Sequence, residues 1–182
     1  MSQIDREVLA GRLAAASLLR GEFTLRSGRK SNYYLDKYRF STLPDVLRDL
    51  GVLFAEEIEK IQAELGPVHR LAGAELGGIP LVTAAALETG KPCVFIRNAK
   101  KDYGTAQQLE GLLEEGERVV VLEDVATTGG QAIEAVGVLR EAGAEVVGVI
   151  ATIDREEGAA ESMQEAGVRF IALFTKSDLG VQ

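Results

Sequence analysis

The sequence predicts an α/β protein: a central five-stranded parallel sheet flanked by helices. Three observations carry that expectation. Short apolar runs at 69–74, 93–96, 118–122, 145–153 and 168–174 alternate with segments whose apolar residues recur at helical spacing. Strand and helix in alternation are the pattern of parallel strands joined by helical crossovers. A chain of 182 residues with 46% hydrophobic content is one domain's worth of core, and no internal repeat or Pro/Ser-rich linker divides it, so 1–182 reads as a single domain.

Each element has its own signal. Ile4, Val8, Leu9, Leu13, Ala16 and Leu19 recur at helical spacing, and Gly21 is a suitable stop, so a first helix is expected to run to that point. Residues 23–35 are β-favouring and punctuated by Ser27 and Gly28, which predicts a hairpin forming a small hood, mainly 20–40. Pro44 then opens a long amphipathic helix through Val46, Leu50, Leu53, Phe54, Ile58 and Ile61. Strand 69–74, helix 79–88 and strand 93–96 follow. A long polar, glycine-containing loop leads to strand 118–122, helix 131–142, strand 145–153, a short helix at 159–165 and strand 168–174.

Composition removes several function classes. The formal charge of -8 lacks the basic footprint of a general binder of nucleic acid or anionic membranes. A single cysteine, Cys93, forms no intrachain disulfide and sits in an apolar run with no activating neighbour, so it reads as core. The lone His69 has no Cys, His or acidic cluster at zinc-ligand spacing. Residues 4–19 lack the continuous apolar centre of a signal peptide, and no run is long enough to span a bilayer, so a cytoplasmic protein is expected.

The chemistry concentrates in the run VVVLEDVATTGG at 119–130. A buried strand ends here in Glu123 and Asp124, and a helix is expected to begin just after Gly130. Ligands of open α/β sheets collect at the carboxyl ends of strands, and a helix amino terminus presents unpaired N–H groups with positive partial charge. Residues 126–130 therefore form a candidate phosphate cradle, with glycines allowing close approach and Thr127 and Thr128 offering hydroxyls. Gln131 stands where a P-loop needs lysine, and the spaced glycines of a dinucleotide fingerprint are missing. Two carboxylates would repel a phosphate unless they hold something attached to it; a sugar diol with Mg²⁺ answers that requirement. An acidic strand-to-helix cap is the plainer alternative.

That run resembles the phosphoribosyl-pyrophosphate signature of the type I phosphoribosyltransferases. GEFTLRSGRKS at 21–31 with Tyr33 and Tyr34, KDYGT at 101–105 leading to Glu110 and Gly111, and Ile153-Asp154-Arg155 are similar to the orotate phosphoribosyltransferases in particular. These motifs span nearly the whole chain in the family's order. The resemblance implies transfer of phosphoribose from phosphoribosyl pyrophosphate (PRPP) to orotate, with Mg²⁺, in pyrimidine synthesis. It implies that Glu123 and Asp124 hold the ribose hydroxyls, that the amides of Ala126, Thr127, Thr128, Gly129 and Gly130 with both threonine hydroxyls bind the 5′-phosphate, and that Val125 and Gln131 also contact PRPP. Arg97, Asn98, Lys100, Lys101 and Tyr103 fall in a lid over the pyrophosphate, with Lys101 counted as catalytic beside Glu123 and Asp124. Arg26, Tyr34, Leu35, Thr127 and Arg155 fall at orotate. No direct protein ligand is assigned to Mg²⁺, which is expected to arrive on PRPP near Glu123 and Asp124. A homodimer with shared active sites is implied, and neither nucleic acid nor membrane is expected as a partner.

This chain departs from the family pattern in places. Arg26 stands where many members carry lysine, Asn98 where a second basic residue is common, and Tyr103 where some carry histidine; Leu76 and Gly77 lack the Tyr-Lys pair found in some. Taken singly, Arg26 and Arg155 read as exposed charges, the two tyrosines as packing residues and 97–104 as a solvated loop; their joint order carries the functional reading. Two alternatives remain at this stage, a purine phosphoribosyltransferase and a PRPP-sensing regulator that binds nucleic acid. The residues after Phe174 are too few for a second domain, so a form without a fused decarboxylase is expected.

Overall fold

The computed structural model describes residues 4–24, 28, 30–99 and 108–181. Helix α1 (Arg6–Ser17) opens on Asp5, whose carboxylate accepts from the amides of Glu7 and Val8. The antiparallel pair β1 (Leu18–Thr24) and β2 (Lys30–Leu35) forms the hood. Helix α2 (Lys37–Ser41) and the long α3 (Pro44–Leu65), with proline in its first turn, bring the chain to the main sheet. There follow β3 (Arg70–Ala74), α4 (Gly78–Thr89), β4 (Cys93–Ile96), β5 (Leu109–Glu110), β6 (Arg118–Ala126), α5 (Gly130–Glu141), β7 (Glu145–Asp154), α6 (Ala159–Glu165) and β8 (Phe170–Thr175).

The sheet order is β5-β4-β3-β6-β7-β8. The five expected strands are present and mutually parallel. The two-residue β5 adds an antiparallel edge to β4, through Phe95 opposite Glu110 and Ile96 opposite Leu109. Two residues carry no period, so β5 has no signature in the sequence.

Alternation along β6 builds two cores. Val120 and Leu122 face the layer of α1, α3 and α4 with Leu13, Leu50, Phe54 and Ile58, while Val119 and Val121 face α5 and α6 with Val136, Leu139 and Met163. Phe54, Leu50 and Ile58 are fully buried, each such side chain contributing about 1.5–3 kcal/mol through burial.

Two expectations about the amino-terminal region are corrected. The first helix stops at Ser17 rather than near Gly21, and Leu19, which continues the helical period, lies in β1. Pairing wins here: Leu18 and Leu19 lie opposite Leu35 and Tyr34, and the Asp36 amide donates to the Ser17 carbonyl at 2.8 Å. The short α2 buries Phe40 where the sequence reading had no helix.

Candidate active site at the carboxyl edge of the sheet

From β3 the chain turns to β4 on one side and later returns to β6 on the other, so a topological switch point lies between β3 and β6, where open α/β sheets hold ligands. Residues 74–78 after β3 and 123–131 after β6 flank that crevice. The Glu75 amide donates to the Ile96 carbonyl at 2.8 Å, and its Oε1 accepts from the Asn98 amide at 2.7 Å, which ties the chain leaving β4 to this edge. Arg97 and Gln108 exchange two hydrogen bonds, at 2.8 and 2.9 Å, and Arg97 pairs with Glu110 at 3.4 Å.

Glu123 and Asp124 end the buried part of β6 and are themselves buried, Glu123 4% exposed and Asp124 not at all. Adjacent on a strand, they serve different neighbours. Glu123 lines the space under 125–132. Asp124 abuts Gly77, where an added Cβ would overlap its Oδ2. The Lys37 ammonium from α2 lies 3.0 Å from Asp124 Oδ2 and 3.2 Å from Oδ1, aligned as a hydrogen bond to Oδ1, which also accepts from the Val125 amide at 2.6 Å. Burial pulls the ammonium's pKa down, and the charges of Asp124 and Glu123 more than offset this, so Lys37 is held above its ordinary value.

Burial, reinforced by the neighbouring Asp124, pushes the Glu123 carboxyl up to about 8. Between the ordinary value of 4.5 and that figure the folded chain holds a proton that the unfolded chain has lost. This stabilisation is complete below the unfolded value and disappears as pH rises through the folded one. Asp45, Glu64 and Glu117 are held below their ordinary values by Arg12, Arg169 and Arg70, so they act at more acid pH. Scanning calorimetry of the ligand-free chain should show Tm falling by about 5 °C between pH 5 and 8.5, with a flatter slope for Glu123→Gln. Identical slopes for both proteins would refute the assignment.

Ala126 through Gly130 turn from β6 into α5. Gly129, at φ 82°, caps the helix in the left-handed region that glycine adopts freely. The start of α5 borders a small cleft of about 70 Å³ lined by Glu123, Val125, Ala126, Thr127, Thr128, Gly129, Gly130, Gln131 and Ala132. A helix amino terminus over a glycine turn suits a phosphate.

Arg155 follows the end of β7, and its amide donates to the Ala126 carbonyl at 2.9 Å. Its guanidinium is 13% exposed, pairs with Glu157 at 2.8 Å, reaches the Tyr33 hydroxyl at 3.2 Å and lies 5.4 Å from that ring's centre. The hood thus meets the sheet edge through Tyr33. Tyr34 instead packs near Phe23, with ring centres 5.7 Å apart, and Leu35 is buried in the core.

Among the described residues, five buried side-chain atoms have no hydrogen-bond partner, and four of them, Arg97 Nε, Glu123 Oε2, Asp124 Oδ2 and Arg155 Nε, belong to this edge. Buried polar atoms are ordinarily satisfied, so such a concentration marks a place built for a polar ligand. The structure brings together Arg97, Asn98, Glu123, Asp124, 125–131 and Arg155. Arg26, Lys100, Lys101 and Tyr103 lie outside the described residues. Sequence reasoning missed Lys37, Glu75 and Glu157 and assigned no role to Tyr33. The Lys37 contact crosses 87 positions and has no local signature.

Comparison with known proteins agrees with this geometry. The phosphoribosyl transferase domain model matches residues 41–171. An orotate phosphoribosyltransferase of Natronomonas pharaonis is 46% identical over 175 residues, 96% of each chain. Two solved structures of the Mycobacterium tuberculosis orotate phosphoribosyltransferase superpose over 98% of this chain and all of theirs. One, in complex with Fe(III) dicitrate, has a TM-score of 0.85 at 34% identity; the other, in complex with PRPP, has 0.81 at 33%. Matched by the domain model over 41–171 and by an orotate phosphoribosyltransferase over nearly its full length, the chain belongs to the orotate phosphoribosyltransferase family.

Proposed function

We propose that the chain transfers the 5-phosphoribosyl group from PRPP to orotate, giving orotidine 5′-monophosphate and pyrophosphate in de novo pyrimidine synthesis. The observation that carries this reading is the half-buried Arg155 guanidinium held beside the 126–130 turn. A purine base has no carboxylate for it, whereas orotate offers one for a bidentate pair. Family membership supports the same reaction.

In this reading the 126–130 amides with Thr127 and Thr128 take the 5′-phosphate, and Glu123 and Asp124 accept from the ribose hydroxyls. As the bond from the anomeric carbon to pyrophosphate breaks, the electron pair leaves on pyrophosphate and the sugar gains oxocarbenium character. The orotate N1 lone pair then forms the new bond, with loss of the N1 proton. The buried carboxylates face the developing cation, and Arg97 lies on the side assigned to the leaving anion. Lys100, Lys101 and Tyr103 are assigned to the pyrophosphate by resemblance, as Arg26 is to orotate. A homodimer in which 97–104 serves the neighbouring site rests on the same resemblance.

Mg²⁺ completes the reading. Among the described residues no group of three or more His, Cys, Asp or Glu side chains converges as a metal site. The adjacent carboxylates fit an ion held mainly by substrate phosphates: Glu123 Oε2 has no hydrogen-bond partner, and Asp124 stands beside it paired with Lys37. Bound in that way, it would neutralise charge on the departing pyrophosphate. No helix of the described residues is long and apolar enough to cross a membrane.

The test is orotate ultraviolet absorbance on mixing the chain with PRPP and Mg²⁺, with adenine, hypoxanthine and uracil as competing bases. Orotate consumption that requires every component is the expected result. Reaction with another base while orotate is untouched would overturn the assignment of Arg155. PRPP binding without transfer to any base would point to a sensor.

A further inference from the structure

One cation at the acidic pair has no part in the reaction as described. Lys37 stands at the start of α2, directly after the hood strand β2, and its contact with Asp124 joins hood to sheet. Asp124 is fully buried, its Oδ2 touches the place where Gly77 has no side chain, and the Lys37 ammonium lies 3.0 Å from that same oxygen. The Lys37 side chain is 30% exposed, so it is only partly covered where it meets the buried Asp124.

We propose that Lys37 is a positioning residue for the sugar half of the reaction: it holds the Asp124 carboxylate in place and offsets the charge of the acidic pair, so that a polyanionic sugar phosphate can enter. The inference rests on the PRPP reading above. A buried carboxylate without a cation is costly, and the Asp124 charge, joined by that of Glu123 wherever its proton is lost, would repel a ligand carrying several phosphate charges. One ammonium in contact with Asp124 meets both demands. Because α2 follows β2 directly, placement of Asp124 is also coupled to the seating of the hood.

The role is tested by Lys37→Met and Lys37→Arg, each alone and in an Asp124→Asn background. PRPP affinity is measured by calorimetry without orotate, beside steady-state KM for both substrates. Lys37→Met should weaken PRPP binding by about 10- to 100-fold while the orotate KM at saturating PRPP stays within about threefold, and Lys37→Arg should recover most of the loss. In the Asp124→Asn background the Lys37→Met penalty should shrink to about threefold or less, because a residue acting through Asp124 loses its effect when that charge is gone.

An undiminished penalty in that background would mean that Lys37 touches the substrate directly, and would overturn the positioning role. Unchanged PRPP affinity, or equal losses for both substrates with a falling Tm, would do the same. If Lys37→Met does not fold, Lys37→Arg decides, since wild-type selectivity with restored PRPP affinity is required of it. Parent protein that binds PRPP but spares orotate leaves this test intact while the base assignment fails; parent protein that does not bind PRPP overturns both.

Discussion

Arg155→Leu is expected to lower kcat/KM for orotate by about 100- to 1,000-fold while PRPP affinity stays within about threefold. Truncating one partner of a buried, hydrogen-bonded charge pair costs on the order of 2–5 kcal/mol, and each 1.4 kcal/mol is about tenfold. Without ligand the guanidinium rests on Glu157 and Tyr33, so an orotate carboxylate must compete with a carboxylate already there. The cost seen in kinetics therefore stays short of the top of that range. Arg155→Lys should recover little, because a point charge cannot reproduce the planar fork or its stacking on Tyr33. Steady-state kinetics with orotate varied, beside calorimetric PRPP binding, check this. Matching losses for the two substrates would place Arg155 in general folding rather than base recognition.

Gly77→Ala is expected to cost at least about 100-fold in kcat/KM, although alanine is the smallest possible addition. The backbone at Gly77, φ -71° and ψ -29°, is ordinary right-handed helix that any residue adopts. Space forbids the change: the new methyl would occupy the volume of Asp124 Oδ2. Asp124 is buried and anchored by Lys37 and the Val125 amide, so either it leaves its place or the 75–78 turn lifts from the crevice. Overpacking of this kind costs about 1–3 kcal/mol in stability, a Tm drop of several degrees, on top of the catalytic loss. Adding Asp124→Ala should restore Tm without restoring turnover. Near-parental activity of Gly77→Ala would show that Asp124 tolerates displacement.

The readable part of this molecule was the part governed by local period. The apolar runs that became β3, β4, β6, β7 and β8 are visible because helices on both faces of the sheet remove most polar residues from them. Helices α3, α4, α5 and α6 were placed within a few residues by spacing and by Pro44. Leu19 was misplaced because its helical period competes with a partner, Tyr34, supplied by the hairpin. The acidic pair and glycine turn were legible as a contiguous run. Lys37, Gly77 and Glu75 were not, since each acts through a neighbour distant in the chain: Asp124 for the first two, Asn98 for the third. Tyr33 and Tyr34 alternate in direction, and no local feature says which one meets Arg155.

The bond from the Arg155 amide to the Ala126 carbonyl has a metrical consequence. It sits where β6 and β7 pair in parallel, with Ala126 opposite Asp154. In the proposed assignment the phosphate seat begins at the end of one strand and the base carboxylate's guanidinium follows the end of the next, so their separation is set by strand register rather than by flexible loops. A slip of one residue would shift one seat against the other by about 3.3 Å. The sheet thereby acts as a fixed caliper, gauging the span of a nucleotide from its 5′-phosphate to the far edge of its base.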